Sequence, residues 1–329
     1  MNSIFLHLSI ADWVNDHVQS FVAAYGDSFH DFSTAVLRDV LVPLEGALRA
    51  TPPWLILVAV GLLALNATRR IGIAAFFVLL LYVIGCFGLW DKLMQTLALM
   101  LVATVLSVAL GIPLGIWASR SPWMRRVLLP VLDIMQTLPS FVYLIPVLML
   151  FGLGKVPAIL ATIIYALPPL IRLTDLGIRH VDADVVEAAR AFGTTRWQLL
   201  VNVQLPLARP SIMAGINQTT MMALSMVVIA SMIGSRGLGE DVLAGIQTLD
   251  IGKGMQAGIA IVILAIVIDR ISQGYGQDGR TRRLVAQRRK AKAASRIPYR
   301  TAGSPRDEAS AAAGSENAAQ SGLETRAAD

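Results

Sequence analysis

The 329-residue chain is poor in charge, has one cysteine and has no cluster of histidines. Only 15% of its residues are charged, against about a quarter in a soluble domain. Hydrophobic residues make up 55% and the mean hydropathy is +0.62, which reads as a polytopic membrane protein. The lone Cys86 excludes a disulfide framework and a cysteine-based metal site, and its place in an apolar run reads as inert packing. His7, His17, His30 and His180 have no ligand partner one helical turn away, so no metal site is expected. No P-loop, nucleophile elbow or paired intramembrane carboxylate occurs, so neither a catalytic residue nor a cofactor of this chain is expected. Nothing in the pattern asks for a nucleic-acid partner. The N-terminus lacks a basic segment followed by an apolar core, so no cleavable signal peptide is expected. The apolar segments hold almost no ionisable groups, which argues against an ion-coupled pump. Asp133 and Asp269 come nearest, and both read as interface residues near cytoplasmic ends.

What the chain does have is apolar length. Seven segments, near 52–67, 71–90, 93–118, 130–152, 156–173, 210–233 and 254–272, approach the roughly 20 residues that a span needs. The fold class is therefore all-α, with about seven transmembrane helices. Trp54, Trp90, Trp117 and Trp123 fall near predicted span ends, where interface anchors belong. Before the first span, residues 1–50 carry apolar side chains at helical spacing. Ile10 to Tyr25 and Phe29 to Leu41 read as two amphipathic helices, lying on lipid or packed against the protein's own spans. With the N-terminus outside, seven spans leave only Arg38, Arg49, Lys92, Lys155, Arg236 and Lys253 of the 28 basic residues outside. The positive-inside rule favours that N-out, C-in orientation. Residues 234–253 then form an outside loop with a short helix from Glu240 to Thr248. The densely basic 280–300 reads as a solvated anchor or a contact to anionic membrane lipid, and 301–329 has the composition of disorder.

One cytoplasmic stretch, 184–206, breaks the apolar pattern with DVVEAARAFGTTRWQLLVNVQLP. Asp184 precedes Glu187 by three residues and Thr195 precedes Gln198 by three, the spacing of two capping boxes. Gly193 lies between them, where a reversing chain needs positive φ. Pro206 is expected to end the second short helix and Pro210 to open the next apolar run. The result is a helical hairpin between two spans, a knob that a globular partner can grip.

Glu187, Ala188, Ala189, Gly193, Val203, Leu205 and Pro206 carry a closer resemblance. Their E-A-A, three residues, G, nine residues, V-x-L-P pattern resembles the EAA motif of ABC importer permeases, with Val203 in place of an isoleucine. Segments 119–154, 166–178 and 217–239 resemble the permease subunit of glycine betaine/proline betaine importers, over about residues 50–275. The resemblance implies a type I importer permease core at 91–273, with its coupling loop at 184–206. It also implies two extra N-terminal spans at 51–90 and an extracytoplasmic region at 1–50, whereas the tail at 274–329, cytoplasmic by the charge count, lies beyond it. It further implies a cytoplasmic (inner) membrane subunit that is no enzyme, paired with a second copy as a homodimer. ATP and magnesium would be held by a separate ATPase subunit gripping the loop. A periplasmic or lipid-anchored binding protein would deliver the solute. Glycine betaine, proline betaine or choline, osmoprotective quaternary amines, are the implied solutes. For the solute path, polar and aromatic side chains at membrane depth are the candidates: Met135, Gln136, Thr137, Phe141 and Tyr143 in the fourth segment, and Asn217, Gln218, Thr219, Thr220 and Ser225 in the sixth. Aromatic faces suit a quaternary ammonium, yet hydrogen bonding between helices explains polar residues there equally well. A stand-alone channel or secondary transporter is the alternative reading.

Overall fold

The computed structural model describes residues 37–276, with five isolated positions before them (Asp16, Ser20, Asp31, Thr34 and Ala35). The first amphipathic segment lies almost wholly outside the described residues, and the basic and disorder-like tail from 277 lies entirely outside them. Every regular element among the described residues is helical.

Helix α1 (Leu37–Ala50) meets α2 (Pro53–Thr68) at 104°. Its corner is written in the sequence Thr51-Pro52-Pro53. A residue before proline is pushed out of the helical region, and Thr51 and Pro52 are both extended, with ψ of 129° and 138°. Of the second amphipathic segment only Asp31, Thr34, Ala35 and the end at 37–41 are described, and in that end Val40 is exposed while Leu41 turns inward. Leu41 is fully buried in the main core, with Leu37, Leu44 and Leu48 against it. Helices α2 and α3 (Ile71–Cys86) have 16 residues each. At 1.5 Å per residue that is about 24 Å, short of a bilayer core of about 30 Å. The second expected segment therefore ends four residues early, at Cys86. Cys86 itself is exposed, not buried packing, because it closes a helix on the outer surface of the bundle.

Helix α4 (Trp90–Arg120) is a full span, but the fourth apolar segment is not one straight span. It divides into α5 (Pro122–Thr137) and α6 (Ser140–Phe151), bent by 99°. Pro139 is the cause. Having no N–H, it leaves the carbonyl of Met135 without its helical donor. The Tyr143 hydroxyl donates to that carbonyl instead, stitching the two arms together across the bend.

Helix α7 (Lys155–Arg179) is the most buried span. It is sandwiched between α4 and α9 (Arg196–Ser235) on small residues. A Cβ at Gly111 would stand 2.8 Å from Leu170, and one at Gly115 2.6 Å from Thr174. On the other side, a Cβ at Gly177 would meet Ser211 at 2.6 Å. In lipid, tails are as apolar as leucine, so helices associate through such close packing. The Thr219 hydroxyl adds a 2.9 Å bond from α9 to the Ala166 carbonyl of α7.

Pro206 does not end a helix, and Pro210 does not begin one. Both lie in α9, which continues through them for 40 residues. Just before Pro206 the helix widens to a π turn over Leu199–Gln204, where the Leu205 N–H reaches back five residues to the Leu200 carbonyl. After a break at Ile233 and Gly234, α10 (Leu238–Gln247) forms the expected short helix, two residues earlier than its composition suggested. Helix α11 (Ile251–Gly276) completes the bundle.

Ion pairs define one end of the molecule. Lys155 reaches Glu45 at 2.6 Å, Arg49 reaches Asp91 at 2.5 Å, and Lys92 and Lys253 converge on buried Asp241 at 2.6 and 3.7 Å. Four of the six basic residues assigned to the outside thus gather on a single end of the bundle.

The candidate coupling hairpin and solute path

Helix α8 (Ala183–Ala191) and the first turn of α9 form the hairpin at the opposite end. The first capping expectation needs correction. Asp182, not Asp184, is the N-cap, and its carboxylate accepts from the Asp184 N–H at 3.0 Å. Asp184 instead sits in the first turn, where a carboxylate favours the positive end of the helix dipole. Glu187 is therefore free of capping and exposed. The second box forms in full: the Gln198 N–H donates to the Thr195 hydroxyl at 3.3 Å, and the Thr195 N–H donates to the Gln198 side chain at 2.9 Å.

Between the helices, Gly193 has φ +78° and closes the reversal with its N–H on the Arg190 carbonyl at 2.9 Å. The Thr194 hydroxyl and N–H both donate to the Ala189 carbonyl, at 2.8 and 3.3 Å. The base of the hairpin is fixed to the spans. Leu200 is 1% exposed and packs with Ile178 of α7 and Ala208, against half-buried Leu205, Ile116 and Ile212. Arg120, at the end of α4, donates to the Arg196 carbonyl at 2.5 Å. Three spans thus hold this one hairpin. Of its motif residues, Ala188 and Pro206 are exposed, while Ala189 and Val203 are half-buried.

The outer face of the hairpin is apolar. Phe192 is 90% exposed and Trp197 67%, with Val185 and Val201 also open. Sequence reasoning passed over these side chains, although two aromatics flanking the turn glycine in an otherwise polar loop were a readable signal. Beside α8, Glu187, Arg190, Arg120, Arg179 and Gln204 line a cleft of about 270 Å³.

The solute-path candidates do not converge on one feature. Asn217 donates to Asp269 of α11 at 3.2 Å, and Asp269 also accepts from Gln273 at 2.7 Å. Thr137, Thr220 and Ser225 spend their hydroxyl protons on carbonyls of their own helices. Tyr143 and the Met135 carbonyl are joined across the α5–α6 bend. Phe141, Gln136 and Gln218 are exposed, and the two glutamines have no hydrogen-bond partner among the described residues. Asp133 is exposed and pairs with Arg172. A further carboxylate, Asp175, was not singled out because it lies just past the fifth apolar segment. It is 4% exposed and meets Arg125 at 3.3 Å.

Residues 111–275 match the sequence profile of the binding-protein-dependent transport system inner membrane component. The chain belongs to that family. This permease is 46% identical over 275 residues to the glycine betaine/proline betaine transport system permease protein ProW of Escherichia coli (strain K12), covering 84% of this chain and 77% of that one. It is 44% identical to the glycine betaine transport system permease protein OpuAB of Bacillus subtilis (strain 168), covering 81% and 94%. It is 42% identical to the glycine betaine/carnitine transport permease protein GbuB of Listeria monocytogenes serotype 1/2a (strain 10403S), covering 83% and 98%. Its fold resembles that of the MetNI methionine ABC transporter in inward-facing conformations, with a TM-score of 0.51 at 20% identity over 55% of this chain and 91% of that one. The permease is thus a multi-pass inner-membrane transport subunit of the ABC importer class.

Proposed function

We propose that the permease forms the path by which a quaternary-amine osmolyte of the betaine class enters the cytoplasm, driven by a separate ATPase that grips the hairpin at 184–206. The observation that carries this reading is the hairpin itself. It is exposed, aromatic on its outer face, and anchored through Leu200, Ile178 and Arg120 to three spans. Such a knob passes a push from a partner to the bundle as a rigid-body displacement. Ala188 and Ala189 keep one face of α8 small enough for close seating, and Glu187 offers a polar contact at the edge of the cleft. Val203, Leu205 and Pro206 belong to the π turn and the start of the long helix, where the displacement enters the membrane.

Solute class is supported by the relatives, all three of which are named for glycine betaine. A betaine offers a cation that cannot donate hydrogen bonds and a carboxylate that accepts them. Exposed Phe141 supplies an aromatic face for the first, and exposed Gln136 and Gln218 supply amides for the second. A second copy of the permease would complete the path, and a periplasmic or lipid-anchored binding protein would present the solute. The hairpin end is assigned to the cytoplasm and the ion-paired end to the outside, with the N-terminus out and the C-terminus in. ATP and magnesium belong to the ATPase.

The test is uptake of labelled glycine betaine by proteoliposomes holding the permease, its ATPase and its binding protein. Uptake should require ATP and all three components. Flux through the permease alone, without ATP, would instead favour a stand-alone channel.

A further inference from the structure

At the hairpin end, an open cleft of about 660 Å³ lies between the end of α4, the start of α5 and the end of α7. Four arginines line it: Arg120, Arg125, Arg126 and Arg179. No carboxylate does. Asp175, just behind, offsets Arg125 at 3.3 Å. Arg120 is held by the Arg196 carbonyl. Arg126 and Arg179 are exposed and have no carboxylate partner among the described residues. Guanidinium groups gathered in one concave site call for an anion with several acceptor oxygens, and phosphate is the oxyanion they match in geometry.

The rest of the cleft says which phosphate. Its lining also includes the apolar Leu129, Pro122 and Pro130. On α5, Trp123, Val127, Val131 and Ile134 are all exposed, at spacings of four, four and three. That spacing is one face of a helix. Helix α5 is therefore amphipathic, apolar on the outside with arginines beside it, the pattern of a helix lying in a membrane interface. Trp117 of α4 is exposed nearby in sequence, as interface tryptophans are. A free phosphate has no use for these apolar side chains. A lipid uses both parts, its headgroup among the arginines and its chains along α5.

We infer that the cleft lined by Arg120, Arg125, Arg126 and Arg179 is a binding site for the phosphate headgroup of an anionic phospholipid, set against the coupling hairpin. Arg120 and Arg179 also line the smaller cleft beside Glu187, so headgroup and hairpin share two side chains. A bound headgroup would steady the hairpin through the Arg120 contact to Arg196.

The experiment titrates dioleoylphosphatidylglycerol into phosphatidylcholine nanodiscs holding the full-length permease, and native mass spectrometry counts the retained anionic lipid. The double variant Arg126→Gln/Arg179→Gln removes the two unpaired charges and spares the Arg125–Asp175 pair. A charge-assisted contact to a held headgroup contributes a factor of about twelve or more, so apparent affinity should fall by more than about a hundredfold. The conservative Arg126→Lys/Arg179→Lys variant should recover most of it. The control Arg69→Gln/Arg70→Gln removes the same charge outside the cleft, where only diffuse attraction of about a factor of five per charge is lost, so its fall should stay below about thirtyfold. Equal losses in control and test variants would overturn the site in favour of diffuse attraction. Displacement of the retained lipid by millimolar inorganic phosphate would overturn the lipid assignment, and so would loss of the lipid when the ATPase is added, since the cleft would then be a protein contact. Because lipid retention is read without transport, failure here leaves the transport reading untouched.

Discussion

Gly193 separates the geometry of the hairpin from its surface chemistry. Its φ of +78° lies in the left-handed region, and a Cβ placed on it would meet nothing within 4 Å. Substitution within this chain therefore costs backbone strain alone. For alanine that strain is about 1–2 kcal/mol, a factor of about 5–30 in the population of the correct turn. Gly193→Asn should cost less, because asparagine enters the left-handed region more readily. Gly193→Val should cost more, since a β-branched side chain is a genuine outlier there. Gly193→Pro cannot reach positive φ and also deletes the N–H that donates to Arg190, so the turn should open. ATP-driven uptake and binding-protein-stimulated ATPase activity in the reconstituted complex should follow Gly, Asn, Ala, Val, Pro in descending order, with membrane insertion unchanged. Coupled uptake by Gly193→Pro at the wild-type level would refute the claim that hairpin geometry transmits the drive. Alanine as damaging as proline would refute the claim that the cost is strain, and would place the partner's surface against residue 193.

Further outcomes can be checked by thermal unfolding in detergent and by activity. Thr195→Ala removes a completed capping box and should weaken the hairpin by about 1 kcal/mol, with Thr195→Ser restoring it; hydrogen exchange at 196–198 would report this. Tyr143→Phe leaves the Met135 carbonyl unpaired at the α5–α6 bend and should lower stability by about 1–3 kcal/mol. Lys155→Met strands the nearly buried Glu45 carboxylate with a more distant Arg49 at 3.6 Å. Because Lys155 is partly exposed, the loss should be about 2 kcal/mol, below that of a sealed pair, and adding Glu45→Gln should recover part of it. Gly115→Val drives a side chain into Thr174 and the Ile171 carbonyl and should separate α4 from α7, costing about 1–3 kcal/mol or more.

The elements that could be read from sequence are those governed by local rules. The Thr195–Gln198 box, the positive φ at Gly193 and the positions of the apolar segments follow from spacing alone. Where two rules compete in one segment, the reading failed. Pro206 by itself favours a stop, but a helix held by Leu200 and Ala208 against Ile178 keeps going and widens by one residue instead. At Pro139 the freed Met135 carbonyl is covered by the Tyr143 hydroxyl across a sharp bend, a contact that no local spacing rule reports. Asp182 outcompeted Asp184 as the cap because either side chain can fill that role and the structure selects the earlier start. The glycine pair 111 and 115 is a sequence signal that was passed over, although its use depends on which helix approaches. The solute path was least legible. Asn217 and Tyr143 are polar for the sake of helix joints, and only three-dimensional contacts distinguish a joint from a lining.

Ala188 offers the most direct measurement of the coupling claim. It is exposed on α8 and lies at the centre of the motif. With Cys86 replaced by serine, Ala188→Cys should cross-link to a cysteine series on the ATPase in the assembled transporter, with a yield that changes between nucleotide-free and ATP-bound states. Ile246→Cys, exposed on α10 at the opposite end, should give no cross-link to the ATPase. Cross-linking from Ile246 but not from Ala188, in a transporter that still takes up glycine betaine, would contradict the account.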